Sequence, residues 1–289
     1  MGFALFGAGL LPALVVLVYF YRSDRFPEPK NTIAAVAVAG ALSILAVLPL
    51  DFVLAGLGRL FAFPYGKELF EAFVLAAFVE ELTRYLIVYA VSNSADFDEP
   101  MDGPVYAVAA AMGFAAVENL AYVFEGGLPA AVARAVTAVP SHAANAVVMG
   151  YLMSLGRFLP ERRREFYALA LVVPILMHGA YDACLMVSEK AGPDSGFLFP
   201  LQLTWLIGLM LEFDFSLRLH RHLAFMQFGH ALPWWIGRLP FGRPHGRIDP
   251  VFRNLTGLSQ LGSRDLAVVR SAVGRRTPPP LEPNPPAHE

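Results

Sequence analysis

The sequence contains very little cysteine and few charged residues. Cys184 is the only cysteine among 289 residues, which excludes an internal disulfide and a zinc site built from cysteines. Charged residues make up 16% of the chain, whereas soluble domains carry roughly 25%. Hydrophobic residues make up 56%, and the mean hydropathy is +0.51. This composition excludes an ordinary soluble domain and predicts a polytopic membrane protein, with the lipid bilayer and not nucleic acid as its surroundings.

Hydropathy predicts an all-α transmembrane helical bundle of seven spans. Each apolar run is close to the roughly 20 residues that a helix needs to cross a bilayer. We expect the first run to be a retained anchor, because it lacks a basic leading segment and an A-x-A-like cleavage site. The predicted spans are 3–21, 32–57, 69–91, 101–124, 129–156, 165–187 and 197–217.

The distribution of lysine and arginine predicts the orientation of the bundle. With the N-terminus outside, the inner segments carry 17 of these residues and the outer segments carry 4. Because cytoplasmic segments are enriched in basic residues, we expect the N-terminus outside and the C-terminus inside. Residues 1–217 form the bundle in this prediction, with the polar helices within 69–187.

Two further segments follow the predicted bundle. Residues 218–273 are basic and aromatic at their start, which is typical either of an interfacial segment on the inner leaflet or of an ordinary linker. Residues 274–289 are rich in proline, and such a tail is expected to be disordered because it cannot bury a core.

Several ionisable residues lie inside the predicted spans, where such residues are rare and usually face the bundle interior or a wet cavity. Arg84 can reach both Glu80 and Glu81 by helical spacing, so only one of the two carboxylates is neutralised by it. Asp182 is four residues from His178 and could orient its imidazole ring. The candidate site residues are Glu80, Glu81, Arg84, Glu118, His142, His178 and Asp182.

The depth of these residues places them in one layer of the membrane. At a rise of about 1.5 Å per residue, Glu80, Glu118, His142 and His178 lie roughly 9 to 20 Å below the outer boundary. A carboxylate in such a cavity could take a proton from water while a histidine stabilises an oxyanion or protonates a leaving amine. Alternatively, Glu118, His142 and His178 could hold a zinc ion with an open position. A zinc cofactor and no cofactor both stay open.

Structural interpretations compete with these functional ones. Glu80, Glu81 and Arg84 could form a buried ion pair that fixes helix packing, and His142 could be an interhelical hydrogen-bond donor. The acidic segment Asp96–Asp102 is most simply a solvated turn, with cation binding as its alternative.

Four segments together resemble the PrsW family of bacterial intramembrane proteases, which belongs with the CAAX-type prenyl-protease superfamily. They are EELTR (80–84), FDEPMDGPVYAVAAAMGFAAVENLAYVF (97–124), PSHAANAVVMGYLMSLG (140–156) and MHGAYD (177–182). They match the EExxK-type, FxxxE-type and HxxxD-type motifs in order, and Arg84 stands where lysine is usual. The resemblance implies a helical bundle with a polar interior site.

By this resemblance, Glu80 is the base that activates water and Glu81 is held by Arg84. His142 and His178 assist, and Glu118 is essential nearby. The family is classed among metalloproteases, whereas superfamily relatives are argued to use glutamate without metal. The resemblance implies a multi-pass protein of the bacterial inner membrane whose substrate is a single-span membrane protein or peptide, such as an anti-sigma-factor-like regulator cut on its extracytoplasmic side.

Three function classes are therefore weighed. The first is an intramembrane endopeptidase in which Glu80 activates water, His178 or His142 polarises the scissile carbonyl and Asp182 orients His178. The second is a proton- or cation-coupled transporter, for which mid-membrane carboxylates are also typical. The third is a catalytically silent membrane scaffold. Every motif position is occupied, so we predict the protease.

Overall fold

The computed structural model describes residues 2–24, residues 27–192 and scattered positions between 203 and 214. Within these residues the regular structure is entirely helical, without a strand, which confirms the all-α prediction. The seventh predicted span, 197–217, is described only at those scattered positions, and the segments 218–273 and 274–289 lie outside the described residues.

Seven α-helices form the described bundle. A short 3₁₀ segment, Gly56–Leu60, follows the second of these helices, and another, Pro160–Arg162, precedes the seventh. The helices are α1 (Gly2–Ser23), α2 (Lys30–Ala55), α3 (Gly66–Phe70), α4 (Val79–Val91), α5 (Asp102–Val136), α6 (Ala138–Phe158) and α7 (Arg163–Ala191).

Among the described residues, four helical runs are long and apolar enough to cross a membrane: Leu5–Ser23, Lys30–Leu60, Asp102–Phe158 and Pro160–Ala191. The run Asp102–Phe158 has 57 residues and would be about 86 Å long if straight, far more than the roughly 30 Å of a hydrocarbon core. It is broken at Gly127, whose φ of 65° and ψ of −153° are not helical, and at Thr137 between α5 and α6. The count of seven spans stays a prediction.

The third predicted span, 69–91, corresponds to a helical run with a change of pitch. A π-helical segment, Glu71–Phe78, joins α3 to α4. Such wide turns are uncommon and are often found at functional sites. Here the π segment ends directly before the first turn of α4, which carries Glu80 and Glu81.

The first half of α5 lies at the centre of the bundle. Its residues from Asp102 to Met112 are buried on all sides, against α1, α2 and α6. Glycine permits the closest approaches: a Cβ at Gly113 would lie 1.9 Å from the carbonyl oxygen of Ala37 on α2. Small residues let helix backbones approach in this way within membranes. The tight packing fixes the position of the Glu118 turn farther along α5.

The acidic segment Asp96–Asp102 is not a solvated turn throughout, so that expectation is wrong for two of its members. Glu99 and Asp102 are buried. The Asp102 carboxylate accepts hydrogen bonds of 2.7 Å from the backbone N–H groups of Asp98 and Glu99. It therefore closes the turn that begins α5, and of the four acidic residues only Asp98 is exposed, while Asp96 is half-buried.

Candidate active site

Four helices bring the seven predicted site residues into one connected cluster. The first turns of α4 supply Glu80, Glu81 and Arg84, while α5 supplies Glu118 and α6 supplies His142. The remaining two, on α7, are His178 and Asp182. Arg84 lies at the centre and contacts residues of three of these helices.

Arg84 binds the two neighbouring glutamates unequally. Its Nη2 atom lies 2.6 Å from Oε1 of Glu81 and 3.4 Å from Oε2 of Glu80. Its guanidinium carbon also lies 5.0 Å from the centre of the Phe114 ring. Glu81 is therefore the principal counter-ion of Arg84, and the Glu80 carboxylate keeps acceptor capacity for other groups.

The ring of His178 is held between carboxylates on both sides. Its Nδ1 lies 2.9 Å from Oε1 of Glu81 and 3.2 Å from Nη2 of Arg84. Its Nε2 lies 3.1 Å from Oδ2 of Asp182 and 4.0 Å from Oε2 of Glu80. Because both nitrogens face carboxylate oxygens, the protonated ring can donate hydrogen bonds from both, whereas a neutral ring donates from only one. Asp182 fixes the orientation of the ring.

The second imidazole, that of His142, has a defined tautomer. Its Nδ1 lies 3.2 Å from Nη1 of Arg84, and arginine can only donate, so Nδ1 must accept. The ring proton is therefore on Nε2, which donates to Oε2 of Glu118 at 2.9 Å. The two imidazole rings meet edge to face with their centres 5.5 Å apart.

Exposure divides the cluster into a floor and a more open rim. The side chains of Glu81 and Arg84 are 1% and 2% exposed. Those of Glu80, Asp182 and Glu118 are 12%, 17% and 18% exposed. The floor is a buried ion pair, whereas the rim presents carboxylates that a water molecule or a substrate could reach.

One residue of the cluster, Arg134, was not among the predicted site residues. Its Nη2 lies 2.6 Å from Oε2 of Glu118, and its Nε donates to Oδ1 of Asn119 at 2.6 Å. Its guanidinium carbon lies 4.0 Å above the ring of Tyr122. Arg134 is one of the four basic residues that the predicted orientation places in the outer segments. The sequence feature that could have identified Arg134 is its position within a predicted span, just before His142.

A group of possible metal ligands also lies in the cluster. Glu80, His142 and His178 each offer one ligand atom, and these atoms lie within 4.8 Å of one another. The predicted set of metal ligands contained Glu118 in place of Glu80. The Glu118 carboxylate instead accepts hydrogen bonds from both His142 and Arg134. Two imidazoles and one carboxylate are a ligand set of catalytic zinc. All four ring nitrogens contact protein groups, so a metal would replace one contact of each ring.

Comparison with known proteins identifies the family of this chain. Residues 28–209, which include every site residue named above, match the model of the family described as "PrsW family intramembrane metalloprotease". The protein named Protease PrsW from Geobacillus kaustophilus is 36% identical over 205 residues, which are 70% of this chain and 88% of that protein.

Two further proteins of the same printed name show similar coverage. The one from Bacillus subtilis is 33% identical over 188 residues, covering 63% of this chain and 83% of its own. The one from Clostridioides difficile is 31% identical over 194 residues, covering 64% and 81%. No solved structure matches the chain. The resemblance seen in the sequence is thus confirmed, and the chain belongs to the PrsW family of intramembrane metalloproteases.

Proposed function

We propose that this protein is an endopeptidase that hydrolyses peptide bonds of membrane-associated proteins at the cluster around Arg84. The observation that carries the proposal is the difference between two adjacent carboxylates. Glu81 is committed to Arg84 at 2.6 Å, whereas Glu80 lies 3.4 Å from Arg84 and faces the more open rim. A general base needs a carboxylate that water can reach, and Glu80 meets that requirement.

In the proposed reaction, Glu80 takes a proton from a water molecule that attacks the scissile carbonyl carbon. The Nε2–H group of His178 lies 4.0 Å from Oε2 of Glu80 and would share its proton between Asp182 and the carbonyl oxygen as negative charge develops on that oxygen. Asp182 orients the ring from 3.1 Å. Glu80 then delivers its proton to the leaving amine, which restores the carboxylate.

His142 and Glu118 form the opposite wall of the proposed cavity. The Nε2 proton of His142 is held by Glu118 at 2.9 Å, which keeps the ring in one orientation. The His142 ring also packs edge to face on Phe114, with centres 5.9 Å apart. In this proposal the wall positions the substrate against Glu80 and excludes bulk water.

The donor atoms present also fit a zinc ion, which Glu80, His142 and His178 would hold. When bound, such an ion polarises a carbonyl oxygen and makes water more acidic. Arg84 would then keep its role beneath the site, because its contact with Glu81 does not involve the ligand carboxylate. Glutamate chemistry without metal uses the same residues, and chelation distinguishes the two.

The proposed topology has seven spans, the N-terminus outside and the site in the outer half of a bacterial inner membrane. The excess of basic residues on the inner segments supports it. Substrates would be single-span membrane proteins, including anti-sigma-factor-like regulators, cut near the outer surface. A substrate helix must unwind locally, since a helical peptide bond is shielded by its own hydrogen bonds.

The proposal is tested with purified protein in liposomes and a panel of labelled single-span peptides. Wild type should cleave at least one peptide, and His178→Ala should be inactive although still folded by circular dichroism. Each is assayed alone, with chelator, and with chelator followed by zinc. Loss on chelation and recovery with zinc would establish the metal form, and unchanged cleavage would establish glutamate chemistry. Failure of wild type to cleave any peptide of the panel would count against the proposal.

A further inference from the structure

The reversal of the chain at Gly127 brings a second arginine to the site. Glu118 and Arg134 are 16 residues apart on α5, which would separate them by about 24 Å along a straight helix. Instead their side chains meet at 2.6 Å. Gly127, with φ of 65° and ψ of −153°, adopts a backbone conformation that is essentially reserved for glycine, and the chain folds back at this point.

Arg134 makes two hydrogen bonds to the turn of α5 that carries Glu118. Its Nη2 donates to Glu118 and its Nε donates to Asn119, both at 2.6 Å. Asn119 is itself 2% exposed and donates to the carbonyl oxygen of Gly9 on α1 at 3.4 Å. A guanidinium group can make both contacts at once because its donors form a rigid planar fork. The guanidinium group of Arg134 therefore fixes the orientation of the Glu118 carboxylate and also supplies its counter-charge.

The same oxygen of Glu118 links Arg134 to His142. Oε2 accepts from Nη2 of Arg134 and from Nε2 of His142. On the far side of the ring, Arg84 donates to Nδ1. Two arginines therefore act on one imidazole, Arg84 directly and Arg134 through Glu118.

We propose that Arg134 is a positioning residue, which holds Glu118 so that the Nε2 proton of His142 keeps its acceptor and the ring keeps one orientation. The proposal rests on the proposed function for its effect on turnover, but its effect on the ring does not depend on that function. Without the fork, Glu118 could turn away from the ring and Nε2 would lose its fixed acceptor. Arg134 does not contact the groups assigned to the reacting water.

The first test measures the tautomer of His142 by ¹⁵N NMR of histidine-labelled protein, with His142→Asn to assign the signal. Wild type should show a proton on Nε2 and none on Nδ1. In Arg134→Gln the proton should stay on Nε2, because Arg84 still donates to Nδ1, but the Nε2–H signal should shift and broaden as the hydrogen bond to Glu118 is lost, while Arg59→Gln, which changes an exposed arginine, should match wild type. A proton on Nδ1 in wild type, or an unchanged signal in folded Arg134→Gln, would overturn the proposal.

A second variant tests the contact between Arg134 and Glu118 by changing the backbone at the reversal. Gly127→Ala strains the reversal and should give the same shifted and broadened Nε2–H signal as Arg134→Gln. Gly56→Ala is its control, because Gly56 has a φ of −59° and an added Cβ there has no heavy atom within 4 Å. An unchanged Nε2–H signal in Gly127→Ala would show that the reversal does not position Arg134.

Turnover provides the functional test. In Arg134→Gln, kcat should fall roughly 10- to 100-fold, as when a residue orienting an active-site histidine is removed, with KM nearly unchanged. Arg134→Lys should recover part of the loss, because lysine supplies the charge to Glu118 but cannot also hold Asn119. Equal losses in both variants together with a raised KM would indicate a merely structural role. An inactive wild type would refute the proposed function while leaving the NMR result to decide this inference.

Discussion

Oε1 of Glu81 lies between Nη2 of Arg84 at 2.6 Å and Nδ1 of His178 at 2.9 Å. One buried carboxylate oxygen thus joins the only arginine of α4 to a histidine of α7. Glu80, its neighbour in the chain, makes only longer contacts with the same two residues, at 3.4 and 4.0 Å. We infer separate tasks for the paired glutamates: Glu81 holds Arg84 and His178 together, and Glu80 faces the more open rim of the cluster.

The two glutamates should therefore respond differently to amidation. Glu81→Gln leaves Arg84 buried beside a neutral group, and removing one partner of a buried ion pair costs about 3–5 kcal/mol. Glu80→Gln should change the free energy of unfolding by no more than about 1 kcal/mol, since its contact with Arg84 is long and its side chain is partly exposed. Thermal unfolding in detergent measures both. Equal losses of stability would contradict the division of tasks.

Asp182 should affect turnover through His178. Asp182→Asn removes the charge 3.1 Å from Nε2 and leaves an amide of similar shape. We expect kcat to fall roughly 10- to 100-fold with little change in unfolding temperature. The control is Glu189→Gln, an exposed carboxylate on the same helix, which should cleave like wild type. Normal turnover in Asp182→Asn would show that Asp182 does not orient His178 for the reaction.

The stability of the bundle should depend on pH through Glu28, in the segment between α1 and α2. Burial raises the pKa of Glu28 above its ordinary value of 4.5, against the hydrogen bond from Tyr106 that lowers it. The carboxylates of Asp102, Asp98 and Asp96 also act on its pKa, and those of Asp24 and Glu99 lie within 4.8 Å of the Glu28 carboxylate.

The sign follows from the raised value. A carboxyl group with a higher pKa in the folded state binds its proton more tightly there, so its contribution to stability is complete below pH 4.5 and is lost as pH rises through the folded pKa. We expect the unfolding temperature of wild type to fall across that window, and Glu28→Gln, which cannot ionise, to show a smaller fall. Identical pH profiles of the two proteins would exclude Glu28 as the source.

The topology makes a separate prediction for the helical run from α3 to α4. Lys67 is at its start with its side chain 69% exposed, and Ala95 is exposed after its end. Because Cys184 is the only native cysteine, Cys184→Ser provides a background for Lys67→Cys and Ala95→Cys. An impermeant thiol reagent should label position 67 in intact cells and position 95 only after permeabilisation. Labelling of both from one side would show that this run does not cross the membrane.

Much of this arrangement follows from local patterns in the sequence. Apolar runs predict the helices, and spacings of three and four residues predict that Arg84 reaches both glutamates and that Asp182 lies beside His178. These relationships are set within one helix, so they need no knowledge of the packing. The all-helical class of the described residues and the family resemblance, both predicted from the sequence, are confirmed.

Relationships between helices could not be predicted in the same way. The contact between Arg134 and Glu118 depends on a reversal at Gly127, and an isolated glycine in an apolar run does not reveal whether the helix continues. Likewise, Asp102 looked solvated because its neighbours are acidic, whereas the backbone N–H groups of its own turn bind its carboxylate in a buried position. The π-helical segment Glu71–Phe78 has no signature in the composition of the run.

The central claim is that Glu80 is the carboxylate that activates water. It is tested most directly by the rate of peptide cleavage by Glu80→Gln in liposomes, compared with Glu71→Gln, which changes a carboxylate paired with exposed Lys67 on the same helical run. We predict that Glu71→Gln cleaves like wild type and that Glu80→Gln, equally well folded, loses at least about 100-fold in kcat, the lower part of the range for a general base. Cleavage by Glu80→Gln at the wild-type rate would contradict the account.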